Sequence, residues 1–154
     1  MDSSSEGPLY RVLLLEDSEA DTYLFRQAMK NTGLNFDLTV IDDGEKGLDF
    51  AQRQGDYAAV AVPDIAVLDL NLPKAGGAAV LAAMRQHEEL VNVPVIILSS
   101  SETTSEKERA QELGVARYIT KPMNLAEYLR IGDQVKGLLL EPKAVTPAKS
   151  TAPK

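Results

Sequence analysis

The chain has 154 residues, which fits one domain with short tails, and it contains no cysteine, so disulfides and thiol chemistry are excluded. Its formal net charge is −7 and its lysines and arginines form no basic stripe, which argues against a nucleic-acid partner. No apolar run approaches the roughly 18 residues of a membrane span, and the acidic, polar N-terminus is unlike a signal peptide. We therefore expect a cytoplasmic protein with no membrane partner.

Short apolar runs alternate along the chain with segments of helical periodicity. The apolar runs predict five strands, at residues 11–15, 36–41, 65–68, 95–98 and 117–119. Helices are predicted between them: from the N-cap Ser18 to Gly33, at 45–53, from Gly76-Gly77 to Arg85, at 105–113, and from the N-cap Asn124 to Pro142. This alternation predicts an α/β fold, with a doubly wound five-stranded parallel sheet flanked by five helices.

Apolar residues at helical spacing predict which sides of the first and last helices are buried. On the first helix these residues are Ala20, Leu24 and Ala28. On the last helix they are Leu125, Leu129, Gly132, Val135 and Leu139. The predicted domain covers residues 10–140. It follows an N-terminal tail at 1–9 and precedes a tail at 141–154, whose lysine, proline, alanine and threonine content predicts disorder.

Polar side chains follow four of the five predicted strands. Glu16 and Asp17 follow the first strand, Asp69 the third, Ser99 the fourth, and Lys121 lies just beyond the fifth. Ligands of open parallel sheets bind beyond the carboxyl ends of the strands. We therefore expect three carboxylates, a hydroxyl and an ammonium group to converge at one edge of the sheet.

This set of groups suits a divalent cation and a phosphoryl group. Close carboxylates repel one another, and Mg²⁺, which prefers oxygen ligands, relieves the repulsion. Asp69 can act as a nucleophile, because carboxylates form acyl phosphates. Lys121 would pair with one phosphoryl oxygen and Ser99 would donate a hydrogen bond to another. The sequence thus predicts a site for Mg²⁺ and phosphoryl transfer at this edge.

The residues around these positions resemble the four signatures of response regulator receiver domains. The matching segments are residues 14–17, 67–73, 94–99 and 118–122, and the resemblance covers about residues 10–140. It implies a flavodoxin-like sheet with strand order 2-1-3-4-5. It also implies a signalling domain of a two-component phosphorelay, rather than an enzyme with a turnover substrate, in which Asp69 accepts a phosphoryl group from a histidine kinase.

The resemblance also implies a role for individual residues. Asp17 would ligate Mg²⁺ directly, Glu16 through water, and Asn71 through its backbone carbonyl. Ser99 and Tyr118 would form a switch pair that biases a contact face built by the fourth and fifth helices and the fifth strand. The Lys121–Pro122 peptide bond is expected to be cis. Residues expected to dock the kinase are Ala20, Asp21 and Leu24.

A closer resemblance is to single-domain regulators partnered with phytochrome-type histidine kinases. It is carried by the segment 70–73, the long approach at 54–63 to the third strand, and the segment 99–102. His87, the only histidine, is expected at the surface, so the phosphoryl group would come from a partner. No output domain is expected after Lys121, so the signal would pass to an unidentified downstream protein. Tyr128 and residues 138–140 could support a homodimer or belong to the core.

Two other functions fit parts of the same pattern. A phosphatase of the haloacid-dehalogenase type also uses an aspartate nucleophile with Mg²⁺. That family carries a D-x-D motif after its first strand, whereas the first strand here is followed by Glu16-Asp17. A receiver-like module that is never phosphorylated would need only the fold. Turnover of a phosphate ester would identify the first alternative, and failure to become phosphorylated would identify the second.

Overall fold

The computed structural model describes residues 7–72, 74, 76–100 and 103–141. The five strands are β1 (Leu9–Leu15), β2 (Asn35–Ile41), β3 (Ile65–Leu68), β4 (Val95–Ser99) and β5 (Arg117–Thr120). The five α-helices are α1 (Glu19–Asn31), α2 (Gly44–Ala51), α3 (Gly77–Gln86), α4 (Thr104–Glu112) and α5 (Leu125–Leu140). A short 3₁₀ helix, Gly55–Tyr57, was not predicted.

The strands form one parallel sheet in the order β2-β1-β3-β4-β5, which confirms the predicted architecture. β1 begins one residue before the predicted domain start, because Leu9 pairs with Asn35 on β2. Residues 1–6 and 142–154, which make up most of the two predicted tails, lie outside the described residues. In the part of the chain that the structure describes, no helix has the length and apolar character needed to cross a bilayer.

The central strands are buried on both faces, as parallel strands covered by helices must be. Every residue of β3 and β4 is buried. Alternate side chains along these strands enter two separate apolar clusters. One cluster joins the sheet to α2, α3 and α4, and the other joins it to α1 and α5. The two helical layers therefore cover the faces of the sheet and not its carboxyl edge.

Side-chain caps fix where most of the helices begin. The predicted N-caps Ser18 and Asn124 each accept a hydrogen bond from the backbone of the first helical turn. Asp43 and Thr103 cap α2 and α4 in the same way. At the start of α3, Gly76 has no side chain with which to cap. The beginning of α3 is therefore positioned by packing rather than by a cap.

The predicted buried side of α1 is confirmed at Ala28 and is wrong at Ala20. Ala20 is exposed and Leu24 is only half-buried, whereas the residues of α1 that face the sheet are Phe25, Ala28 and Met29. The cause is that residues 25, 28 and 29 satisfy the i, i+3, i+4 spacing of a buried helix face with larger side chains. Packing of Phe25 and Met29 against the sheet rotates Ala20 outward.

The predicted face of α5 is wrong at its first residue. Leu125 is 47% exposed and Leu129 is half-buried, while Gly132, Val135 and Leu139 are buried as predicted. Leu125 is the first residue of α5 and remains largely in solvent. Three residues weighed for a dimer belong to the core instead, namely Tyr128, Leu138 and Leu139. Of that set only Leu140 is exposed.

Gly132 on α5 lies directly against the backbone of α1, and we expect Gly132→Ala to destabilise the fold. An added Cβ would lie 2.4 Å from the Ala28 carbonyl oxygen, so the two helices would have to separate. Overpacking of this kind costs about 1–3 kcal/mol. The matched control is Gly137→Ala on the same helix, where nothing lies within 4 Å of the added Cβ. That change should instead stabilise by up to about 1 kcal/mol, through helix propensity.

Urea denaturation of the two alanine variants and the wild type measures both effects. The expected midpoints order as Gly137→Ala, wild type, Gly132→Ala, from most to least stable. Equal midpoints for the two variants would contradict a close contact between α1 and α5.

Candidate functional site

The strand register brings the predicted site residues to one edge of the sheet. Beyond the last residue of β1, the Glu16 N–H donates to the Ile41 carbonyl of β2 at 3.0 Å. The Asp69 N–H donates to the Leu15 carbonyl at 3.0 Å, and the Lys121 N–H to the Ser99 carbonyl at 2.9 Å. The backbone hydrogen bonds of the sheet thus continue one residue past each strand to Glu16, Asp69 and Lys121, and they fix the Cα positions of these residues.

Three of the predicted acids form a group that could hold a metal ion. Carboxylate oxygens of Glu16, Asp17 and Asp69 lie within 4.8 Å of one another. Glu16 and Asp69 are only 2% and 4% exposed, whereas Asp17 is exposed. Carboxylate oxygens at this spacing, with one open side, suit a hard divalent cation such as Mg²⁺ that retains several waters. The donor set fits the predicted ion.

Lys121 is the cation that balances this cluster. Its Nζ lies 3.0 Å from Glu16 Oε1, 2.9 Å from Asp69 Oδ2 and 2.8 Å from Asp21 Oδ2. The Lys121 side chain is only 15% exposed, so these ion pairs are shielded from most of the solvent. An ammonium group has three protons to donate, and here each of them has a carboxylate partner.

Burial and ion pairing oppose each other in setting the acidity of this cluster. Burial raises the pKa of Glu16 to about 7, although hydrogen bonding to Lys121 and the Ser18 N–H works in the other direction. Burial alone would lower the pKa of Lys121, but its hydrogen bonds to Asp21, Asp69 and Glu16 raise it overall. The ammonium group is therefore firmly protonated. A second cation would further reduce the repulsion among the carboxylates.

Asn71 orients the Asp69 carboxylate and connects it to Ser99. The Asn71 backbone N–H donates to Asp69 Oδ1 at 2.9 Å, and Asn71 Nδ2 donates to Ser99 Oγ at 3.2 Å. Ser99 itself is fully buried. One oxygen of Asp69 thus faces Asn71 and the other faces Lys121. Whether the Asn71 carbonyl ligates a metal stays a prediction.

Ser99 and Tyr118 project from the same face of the sheet. Tyr118 is paired with Ile97 across the β4–β5 ladder, and both side chains belong to the cluster beneath α2, α3 and α4. Ser99 follows Ile97 by two residues, so its side chain points to that face too. The Tyr118 ring is half-buried, with Lys107 Nζ of α4 at 5.7 Å from its centroid. Ser99 and Tyr118 therefore lie on the face of the sheet that α4 covers.

The remaining predicted residues lie on α1 and at the end of α3. Ala20 is exposed and Leu24 half-buried on α1, so their role in kinase docking stays a prediction. His87 is half-buried at the end of α3 rather than fully at the surface, and its Nδ1 accepts from the Glu89 N–H. The described residues contain no cis peptide bond, so the expectation for Lys121–Pro122 is wrong. The bond has the trans form that X-Pro bonds favour by default.

Asp21 is the residue whose place at this site was missed, because it was predicted only as a docking residue. Its carboxylate contacts Lys121 rather than pointing away from the site. A signal was available in the sequence: Asp21 lies in the first turn of a helix that starts three residues after Glu16. An acid so close behind a strand end faces the same edge of the sheet.

A family model described as the response regulator receiver domain matches residues 12–131. The chain belongs to this family. Among curated relatives, the receiver domain described here is 34% identical over 139 residues to the response regulator Rcp1 of Synechocystis sp., covering 90% of this chain and 95% of that protein. Receiver domains are signalling modules of two-component systems, which agrees with the role implied by the sequence.

Solved structures of phytochrome response regulators resemble this receiver domain over most of its length. The phosphorylated cyanobacterial phytochrome response regulator RcpA matches with a TM-score of 0.80 and 31% identity, covering 87% of this chain and 96% of that one. The Mn²⁺-bound form of Rcp1 matches with a TM-score of 0.77 and 34% identity, covering 86% and 95%. The predicted resemblance to phytochrome-associated regulators is confirmed.

Proposed function

We propose that this receiver domain accepts a phosphoryl group on Asp69, in the presence of Mg²⁺, from a histidine kinase, and acts as a single-domain response regulator. The observation that carries the proposal is the contact of Lys121 Nζ with Asp69 Oδ2 at 2.9 Å, beside carboxylate oxygens of three acids within 4.8 Å. A nucleophilic carboxylate, a fixed ammonium group and a cation-binding cluster are the parts that phosphoryl transfer needs.

The reaction follows from these contacts. An Asp69 carboxylate oxygen attacks phosphorus, a new O–P bond forms, and the P–N bond to the kinase imidazole breaks, with its electron pair taken by the departing nitrogen. Lys121 lies where it can pair with a phosphoryl oxygen, and Asn71 holds the other Asp69 oxygen. A bound Mg²⁺, held by Glu16, Asp17 and Asp69, would neutralise charge on the phosphoryl oxygens. The product is an acyl phosphate.

Phosphorylation would be communicated through Ser99 and Tyr118. The Ser99 hydroxyl is bound by Asn71 Nδ2 and could turn towards a phosphoryl oxygen. Space released around Ser99 would then let the half-buried Tyr118 ring turn inward, with a shift of its neighbour α4. Such a change would alter the face built by α4, β5 and α5, which we infer to be the surface read by a downstream protein.

The relatives suggest the donor. RcpA is described as a phytochrome response regulator, which supports a phytochrome-type kinase as the partner. Such a partner would place the protein in the cytoplasm. A homodimer also stays a prediction, because the α5 residues first considered for it are largely core.

Acetyl phosphate with Mg²⁺ tests the proposal without needing the kinase. The wild type should give a phosphorylated band on a phosphate-affinity gel, and Asp69→Asn should give none. Chelation of Mg²⁺ with EDTA should abolish the band as well. Asp133→Asn is the matched control, because Asp133 is an exposed acid on α5, away from the strand ends.

The result that contradicts the proposal is an unshifted wild type at saturating acetyl phosphate and Mg²⁺. A module that is never phosphorylated would then be the better description. A band that persists in Asp69→Asn would place the phosphoryl group on another residue.

A further inference from the structure

Asp21 carries a charge that the phosphoacceptor chemistry described above does not use. Its Oδ2 lies 2.8 Å from Lys121 Nζ, at least as close as the Glu16 and Asp69 oxygens. Yet among the described residues the acids close enough to share a metal ion are Glu16, Asp17 and Asp69. Asp21 therefore contacts the ammonium group from outside the metal-binding group.

The backbone of Asp21 is well fixed. It lies in the first turn of α1, and its N–H donates to the N-cap hydroxyl of Ser18 at 3.1 Å. A carboxylate in the first turn is also favoured by the helix dipole. The side chain is 27% exposed, so its charge is less shielded by protein than that of Glu16 or Asp69. Asp21 can hold its position whatever occupies the metal cluster.

Two of the three carboxylates around Lys121 have a second task. Glu16 and Asp69 would share a bound cation, and Asp69 would also carry the phosphoryl group. Asp21 lies outside the metal-binding group, so it contacts Lys121 without sharing a bound cation. We propose that Asp21 is a positioning residue that holds Lys121 beside the phosphorylation site and competes with the phosphoryl group for its ammonium protons. This inference rests on the proposed function and deepens it.

Competition for one ammonium group has opposite consequences for a cation and an anion. Loss of the Asp21 charge frees Lys121 to bind Glu16 and Asp69 more strongly, so Mg²⁺ alone should bind more weakly. The same freed Lys121 can bind a phosphoryl group without a rival, so a phosphoryl mimic should bind more tightly. A purely structural role for Asp21 would instead weaken the binding of both ligands.

The experiment measures both ligands on the full chain by isothermal titration calorimetry at physiological ionic strength. The probes are Mg²⁺ alone, and beryllofluoride in saturating Mg²⁺ as the phosphoryl mimic. For Asp21→Asn we expect Mg²⁺ binding to weaken roughly threefold to tenfold and beryllofluoride binding to tighten by a similar factor, as fits one partly exposed ion pair. Neither probe requires the kinase, so a docking role for Asp21 does not affect the result.

Glu19→Gln is the matched control, because Glu19 is an exposed acid in the same turn of α1. It removes the same charge from the helix start, and screening at this ionic strength should limit its effect to about twofold. Weakened binding of both ligands in Asp21→Asn, or changes no larger than those of Glu19→Gln, would overturn the inference. Failure of the wild type to bind either probe would instead count against the proposed function itself.

Discussion

Replacing Lys121 with methionine should lower the free energy of unfolding by about 3–5 kcal/mol at neutral pH in the absence of divalent ions. The variant keeps the length of the side chain but leaves the carboxylates of Glu16, Asp21 and Asp69 facing one another without a cation. Two of them are almost fully buried, so water cannot replace the ammonium group. Removing one partner of a buried ion pair costs more than the pair itself contributes.

Mg²⁺ should restore much of this loss. A bound ion would share Glu16 and Asp69 with Lys121, so the variant should bind Mg²⁺ more tightly than the wild type does. A ligand that binds only the folded state stabilises it by an amount that grows with its affinity. Thermal unfolding with EDTA and with excess Mg²⁺ measures this, and the Mg²⁺-induced rise in Tm should be larger for Lys121→Met than for the wild type.

The pH dependence of the same variant follows from Glu16. Its pKa is raised from 4.5 in the unfolded chain to about 7 in the folded protein, so ionisation of this group opposes folding. The stability it contributes is fully present below pH 4.5 and is lost as the pH rises through about 7. Without Lys121 the raised pKa moves further up. The loss of unfolding free energy in Lys121→Met, relative to the wild type, should therefore become smaller as the pH falls from about 8 to about 5.

Lys46→Met is the control for this set of measurements. Lys46 also pairs with an acid, Asp42, at 3.1 Å, but both side chains are more than half exposed. Because exposed pairs are solvated and screened, we expect no resolvable change in unfolding and no altered response to Mg²⁺. A Lys121→Met variant as stable as Lys46→Met in EDTA would show that the carboxylates around Lys121 are already neutral or hydrated.

The fold was predictable because the strands carry a strong local signal. β3 coincides with the predicted 65–68, and β4 extends the predicted 95–98 by one residue. Both were predictable because a short continuous run of apolar residues is typical of a buried parallel strand. Helix faces were harder. Ala20 and Leu125 satisfied the spacing yet are exposed, since the spacing does not say which of two neighbouring stripes meets the sheet. The 3₁₀ turn at Gly55–Tyr57 has no periodic signal at all.

The site was predictable to the extent that strand ends determine it. Glu16, Asp17, Asp69 and Lys121 were expected at one edge, and the structure brings them together there. The first-turn position of Asp21 indicated this edge, but its contact with Lys121 was not predicted, because that contact depends on how α1 packs against the sheet. The close contact between the start of α3 and the backbone after β3 also depends on packing between elements and could not be predicted.

A single methyl group at Gly77 should slow phosphorylation of Asp69 by acetyl phosphate about 10- to 100-fold, because a displacement near 1 Å can have an effect of that size. An added Cβ would lie 2.2 Å from the Asp69 carbonyl oxygen and 2.9 Å from Leu70 Cα. Both neighbours are backbone atoms and cannot turn aside. The Gly77 N–H also donates to the Leu70 carbonyl at 3.2 Å, so the start of α3 and the backbone at Asp69 and Leu70 must move together.

Gly76→Ala separates this contact from a general effect of alanine in the loop. Its Cβ would lie 3.5 Å from the Leu70 carbonyl oxygen, an ordinary contact, and its φ of −68° suits any residue. We expect its phosphorylation rate to stay within about twofold of the wild type. The rates come from phosphate-affinity gels over time, with Mg²⁺ affinity and circular dichroism measured on the same samples.

If Gly77→Ala folds and is phosphorylated as fast as Gly76→Ala, the backbone contact between α3 and Asp69 does not position the carboxylate. A folded Gly77→Ala with weakened Mg²⁺ binding and slow phosphorylation would mean that close packing of α3 aims Asp69 at both the ion and Lys121.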